Sequence, residues 1–165
     1  MAANIQPLAY VEGEGTYSIP IEHGIETASQ TYKKGTPLIA TSGALLTASA
    51  NPTAVVGIAL ANATGVTGAD VPFVPALGDS LIFEGSVDGT LVNSDAPGTG
   101  KPSDLTVWTT YGITFDPVSG NWYIDSSKSG GNQVLRVIGY DVDQTNVING
   151  RVRFRWLRAS STIYV

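Results

Sequence analysis

His23 is the single histidine in a chain of 165 residues that has no cysteine. An imidazole can serve as a general base or bind a metal, but each role needs company. No serine or cysteine stands beside His23 in a nucleophile motif, and no second histidine exists to share a metal ion. It reads as a surface or loop histidine, and a hydrolase would have to rest on it or on a carboxylate pair in a cleft. Asp141 and Asp143, within Gly-Tyr-Asp-Val-Asp-Gln-Thr-Asn, have the i, i+2 spacing of oxygen ligands for calcium. The third ligand, the glycine and the distal glutamate of a calcium loop do not follow. On a strand such a pair shares one face, so a solvated strand end is the simpler reading. Glu12 and Glu14 share that spacing, but a glycosidase pair is defined by separation in space. The glycines of Gly85-Ser-Val-Asp-Gly89 and Gly98-Thr-Gly100-Lys101-Pro102 lack the spacing of a phosphate loop, and Pro102 interrupts the amide array such a loop needs. The absent cysteines exclude disulfides, thiolate metal sites and a thiol nucleophile. The expectation is a protein that is not an enzyme and holds no cofactor.

Two groupings are suited to binding. Trp108, Tyr111, Trp122 and Tyr123 cluster around one expected hairpin. They could stack on sugar, but Trp and Tyr fit strands well and more commonly fill a core or an oligomer interface. Arg151, Arg153 and Arg155 alternate with Val152, Phe154 and Trp156, and Arg158 follows, so four of the nine Lys and Arg residues fall in one segment. A strand so patterned is apolar on one face and cationic on the other. Two readings stand equally: an edge strand guarded by charge against aggregation, or an electrostatic contact with an acidic partner or adjacent protomer.

The elements that would carry these groups are short. Residues 36–40, 44–48, 55–61, 71–74 and 80–87 are apolar runs cut by Gly, Pro, Asn and Asp, the pattern of a small all-β barrel or sandwich. Residues 44–50 are Ala- and Leu-rich and compatible with one helical turn, but the segment is too short to stand as a helix. Gly57 lets a neighbouring chain approach closely. Residues 1–31 read as an extended N-terminal arm in which Tyr10, Tyr17, Ile19 and Ile21 are contact candidates; Pro20 removes a ladder donor there. Residues 32–92 read as the β-barrel core. Residues 93–104 have loop composition, and 105–165 hold further strands that complete the same domain or form a second lobe: 104–115 and 121–125 around a Pro-and-Gly turn, 134–140, and 151–157 after an Asn149-Gly150 turn. The tail 159–165 ends in Ile-Tyr-Val, an apolar tip suited to docking.

Composition narrows the class. About 150 residues suffice to bury roughly 70% of the unfolded surface without covalent staples. Only 14% of residues are charged, against about 25% in ordinary domains, so broad surfaces can be buried against a partner at little desolvation cost. Secreted β proteins share that trait. The net charge of −5 and pI near 4.6 argue against nucleic acid, whose phosphates need clustered cations. The first residues lack the basic-then-apolar pattern of a signal peptide, and no apolar run approaches the roughly 20 residues of a membrane helix.

The chain resembles the capsid decoration, or cement, proteins of tailed bacteriophages. The resemblance lies in Tyr32-Lys-Lys-Gly-Thr-Pro-Leu, Ser42-Gly-Ala-Leu, Ala54-Val-Val-Gly-Ile-Ala-Leu and Val71-Pro-Phe-Val-Pro-Ala-Leu-Gly-Asp, and covers roughly residues 30–92. It implies a small β fold that sits as a homotrimer on the outside of an icosahedral head, made in the host cytoplasm, with the major capsid protein and its own copies as partners and no catalytic residues to carry over. On that reading the arm from Tyr10 to Ile21 and the strand with Arg151, Arg153, Arg155 and Arg158 grip the shell or a sister subunit. The aromatic set packs the core or the trimer axis. The alternative is a carbohydrate-binding β module of a fibre or cell-surface protein, for which Trp108 or Trp122 should be exposed.

Overall fold

A computed structural model describes residues 8–13, 19–78, 80–88, 100–117, 119–128 and 130–158. Tyr17, Glu14, most of the 93–104 loop and the 159–165 tail lie outside the described residues. The described chain forms eleven strands: β1 (Ala9–Gly13), β2 (Glu22–Ile25), β3 (Pro37–Thr41), β4 (Ala44–Thr47), β5 (Gly57–Ala59), β6 (Asp70–Pro75), β7 (Leu81–Asp88), β8 (Thr110–Asp116), β9 (Asn121–Asp125), β10 (Leu135–Gly139) and β11 (Arg151–Trp156). The only helical pieces described are three-residue 3-10 turns, at Pro102–Asp104, Gly130–Asn132 and Val142–Gln144. The all-β class expected from the short apolar runs is the class found.

Strands β7, β11, β10, β8 and β9 pair in that order, and β9 returns to β7 through the parallel pairs Val87↔Ile124 and Asp88↔Asp125. The ring therefore closes into a five-stranded barrel, which removes the open edges that would recruit other chains. β1 adds to the first half of β7, with Tyr10 opposite Phe83. The second sheet has the order β2-β6-β5-β3-β4. Its pairings are antiparallel, but a parallel bridge between Glu26 and Leu45 ties its two end strands together.

Sheet membership cuts across the boundaries expected at residues 31 and 92. Within 1–31, β1 belongs to the barrel and β2 to the second sheet; within 32–92, β7 is a barrel strand. The larger core joins the two sheets: Ile58 and Val74 from the second pack in one cluster with Phe83, Ile113, Val137 and Phe154 of the barrel. The C-terminal strands thus complete a common core. A smaller cluster of Tyr32, Leu38, Leu45, Val56, Ala59, Val71 and Phe73 packs about the second sheet.

The alternation in β11 does what its residue types require. Val152, Phe154 and Trp156 point inward, and the arginines between them stay half-exposed. Phe154 stacks on Phe83 at 5.8 Å and meets Trp156 edge-on at 5.1 Å between ring centroids. β11 lies between β7 and β10, so the edge-strand reading of its arginines is wrong. Charge is not guarding an edge there, because both edges are already hydrogen-bonded.

β5 is buried at all three positions, and its first residue is Gly57. A Cβ at Gly57 would collide with the Val74 carbonyl oxygen and the Phe73 ring and crowd the Pro75 backbone. These are mostly main-chain atoms that cannot swing aside. Gly57→Ala is expected to destabilise the fold by about 2 kcal/mol, the usual scale for overpacking, measured by urea unfolding; an unchanged midpoint would show that β5 and β6 have slack.

Candidate functional site

β2 presents the first uncovered surface. Ile25 of β2 is 51% exposed, and Ile19 and Ile21 just before the strand are 48 and 52% exposed. His23 stands among them, its Nδ1 2.8 Å from Asp70 Oδ2 across to β6. Glu22 is exposed as well, whereas Gly24 approaches Leu45 and Glu26, just past the strand, is buried. Ile19 and Ile21 were contact candidates from sequence. Ile25 was missed, although extending the same alternation by two steps reaches it.

Glu26 anchors the end of this strand. Its carboxylate accepts hydrogen bonds from the Thr64 amide and hydroxyl, both at 2.9 Å, and from the Gly65 amide at 2.6 Å. Burial pushes the Glu26 carboxyl up, but the Thr64 and Gly65 bonds outweigh it and hold it below its ordinary value. The Tyr32 hydroxyl is pushed up to about 12, by burial first and by the Glu26 charge second. No periodicity marks Glu26, because its partners lie 38 and 39 residues away.

Beyond the Glu26–Leu45 bridge no further pairing joins β2 to β4 among the described residues. A cavity of about 490 Å³ opens there. Buried Leu45, Val56 and Phe73 line it together with Gly24, the Ser42-Gly43 turn and Pro52 to Ala54, and none of its lining residues is ionisable.

The second uncovered surface is on the barrel. The Thr106 amide donates to the Tyr111 hydroxyl at 2.7 Å, and the Trp108 amide donates to the Val137 carbonyl at 2.7 Å. These bonds hold Trp108 at φ 68, a left-handed conformation that costs a bulky residue roughly 1–3 kcal/mol. The ring is 69% exposed. The segments 100–109 and 140–149 are tied by bonds from Ser103 to the Thr145 carbonyl and from Asn149 to the Gly100 carbonyl, and the second of them exposes Val142 and Ile148. Of the aromatic set, Tyr111, Trp122 and Tyr123 are buried and Trp108 is not. Burial, set against a hydrogen bond with Ser119 and reinforced by the charges of Asp116 and Asp88, raises the Tyr123 hydroxyl.

The arginines are partly spoken for. Glu84 on β7 lies 3.1 Å from Arg151 and 3.4 Å from Arg153, and Arg153 also reaches Asp141 at 3.4 Å. Arg155 stands opposite Arg136 of β10, and Arg158 is exposed beyond the strand. Asp141 and Asp143 flank this network around a small polar cavity, where the guanidinium groups already supply positive charge. Among the described residues no group of three His, Cys, Asp or Glu side chains is placed to hold a metal ion. Two buried carboxylates of the barrel secure turns: Asp116 accepts from the Ser119 amide, and Asp125 accepts from the Ser127 amide and hydroxyl with Lys128 at 3.4 Å.

The described residues thus include exposed apolar side chains around β2 and in segments between the barrel strands, an uncharged cavity, and a cationic strand partly balanced by its own neighbours. No protein-family model and no curated protein matches the chain, so its role is argued from these surfaces.

Proposed function

We propose that the chain is a decoration protein of a phage head, binding the outer surface of the shell as an oligomer and bridging neighbouring major capsid subunits. The observation that carries this reading is the set of exposed apolar side chains on a domain whose core is already filled: Ile25 on β2 with Ile19 and Ile21 just before it, and Trp108, Val142 and Ile148 in segments between the barrel strands. A molecule that cements a seam needs two separate grips, and low charge lets both be buried cheaply. The resemblance of residues 30–92 to decoration proteins supports the same role. The internal pairing of Arg151 and Arg153 with Glu84 moves the weight of binding from charge to apolar contact.

Mixing purified protein with undecorated heads tests this. Co-sedimentation is expected, and it should persist near 1 M salt, where screening acts within about 3 Å. Trp108→Ala should weaken it roughly thirtyfold, corresponding to the loss of a central aromatic anchor worth about 2 kcal/mol. No co-sedimentation at low salt removes the proposal. The exposure of Trp108 also favours a second reading, a carbohydrate-binding module. Quenching of Trp108 fluorescence by a glycan, with no binding to heads, would favour that one.

A further inference from the structure

We propose that the hollow between β4 and the β8–β9 hairpin receives an acidic segment of a partner protein, one apolar side chain inserted and the flanking carboxylates set on Lys33 and Lys34. The turn that carries the lysines is held from several sides. The Gly35 amide donates to the Ala59 carbonyl at 2.9 Å, the Lys34 amide to Asn62 Oδ1 at 2.9 Å, and the Thr36 amide to the Lys33 carbonyl at 3.1 Å. Gly35 supplies the φ of 88 that the reversal needs, and Tyr32 is buried just before it. A turn fixed in this way presents its charges with little left to order on binding. Both lysines are exposed, and neither has an ion-pair partner among the described residues. Arg151 and Arg153 are paired with Glu84, so the acidic partner expected for the arginine strand finds unpaired cations here instead.

The hollow beside the lysines has two parts. One, of about 260 Å³, is lined by Thr36 and Thr47 on one side and by Phe115 and Trp122 of the barrel on the other. The second, of about 140 Å³, shares Lys33, Thr36 and Trp122 with the first. No acidic side chain lines either part. Lys33 Nζ stands 3.7 Å from the point where Gly120 would carry a Cβ, so its ammonium reaches across to the hairpin. Asp116 follows Phe115 on β8 but belongs to the opposite face, is buried and accepts from the Ser119 amide. The larger part falls below the roughly 300–1,000 Å³ of a small-molecule site. It suits a single inserted side chain, the anchor-and-rim arrangement of protein contacts. On the decoration reading, used here only to name the partner, the segment belongs to the major capsid protein. The contact is separate from Trp108 and from the isoleucines around β2.

The probe is the peptide acetyl-Asp-Leu-Glu-amide, titrated into the full chain at low salt and followed by NMR. Saturable amide shifts are expected in residues 31–36, 47–50 and 119–122, with a Kd of about 1 mM. Lys33→Gln combined with Lys34→Gln, at exposed positions, should weaken binding at least about tenfold and leave the thermal unfolding curve in place. Acetyl-Asp-Gly-Glu-amide should lose as much. No saturable shift up to about 10 mM peptide, or equal binding by the double variant, overturns the contact. Equal binding of the glycine peptide would mean attraction of loose anions alone, and overturns it too. On heads, the double variant should bind about tenfold more weakly than wild type at low salt and match it near 1 M, where screening acts within about 3 Å. Heads that bind neither protein, with the peptide bound as expected, would remove the decoration role alone.

Discussion

Phe154→Ala should lower the stability of this protein by about 4 kcal/mol, the usual scale for a buried aromatic replaced by alanine. The ring is fully buried, stacks on Phe83 and meets Trp156 edge-on. β11 is the strand that joins β7 to β10, with Phe154 opposite Phe83 on one side and Val137 on the other. A cavity at that point cannot be closed by one strand shifting, because both neighbours are held in register. For a chain of this size the melting temperature should fall by about 8–16 °C, read by circular dichroism. Arg153→Ala, on the outer face of the same strand, should cost no more than about 1 kcal/mol, since half-exposed ion pairs contribute little. Equal effects at the two positions would mean that β11 is not the inward-facing wall described above.

Glu26→Ala should cost about 3 kcal/mol, because it strands two amides and a hydroxyl that the carboxylate satisfies in a buried place. The same residue sets an acid limit. Its folded carboxyl titrates below its ordinary 4.5, so the unfolded chain takes up this proton first as pH falls. The stability it contributes is therefore complete above about pH 4.5 and is lost as pH drops through the folded value. Glu26→Gln should be less stable at neutral pH and should lose less on acidification than the wild type. Parallel stability-against-pH curves for the two proteins would show that the clasp on residues 64–65 does not depend on charge.

The parts of this fold that could be read beforehand are those whose information is local. The Arg-Val-Arg-Phe-Arg-Trp run declares its two faces through residue type alone, and Asp116 to Gly120 declares a hairpin through Pro117 and a Gly120 at φ 70. The position of β11 within the sheet was not local, and the edge reading failed there. β2 escaped notice because His23 and Gly24 interrupt its hydrophobic pattern, while its face is set by β6 and by the distant Thr64 and Gly65. Trp108 looked like core material by type. Its outward direction follows from a left-handed turn fixed by Tyr111 and Val137, and residue preference does not encode such a turn. The cavity was illegible for a related reason: its lining residues, from Gly24 to Phe73, are far apart in the chain and meet only in the fold.

The closure of the barrel orders its own synthesis. β7 and β9 meet in parallel at Val87 and Ile124, and the gap between β7 and β10 on the other side of the ring is filled by β11, whose last residue is Trp156. Long-range pairings of this kind form late. A nascent chain still lacking residues 151–156 holds β7 and β10 with open flanks and Phe83 without its stacking partner, a state prone to sticking. Emergence of that last described strand from the ribosome is therefore the checkpoint before which the barrel has no finished shape to offer any surface.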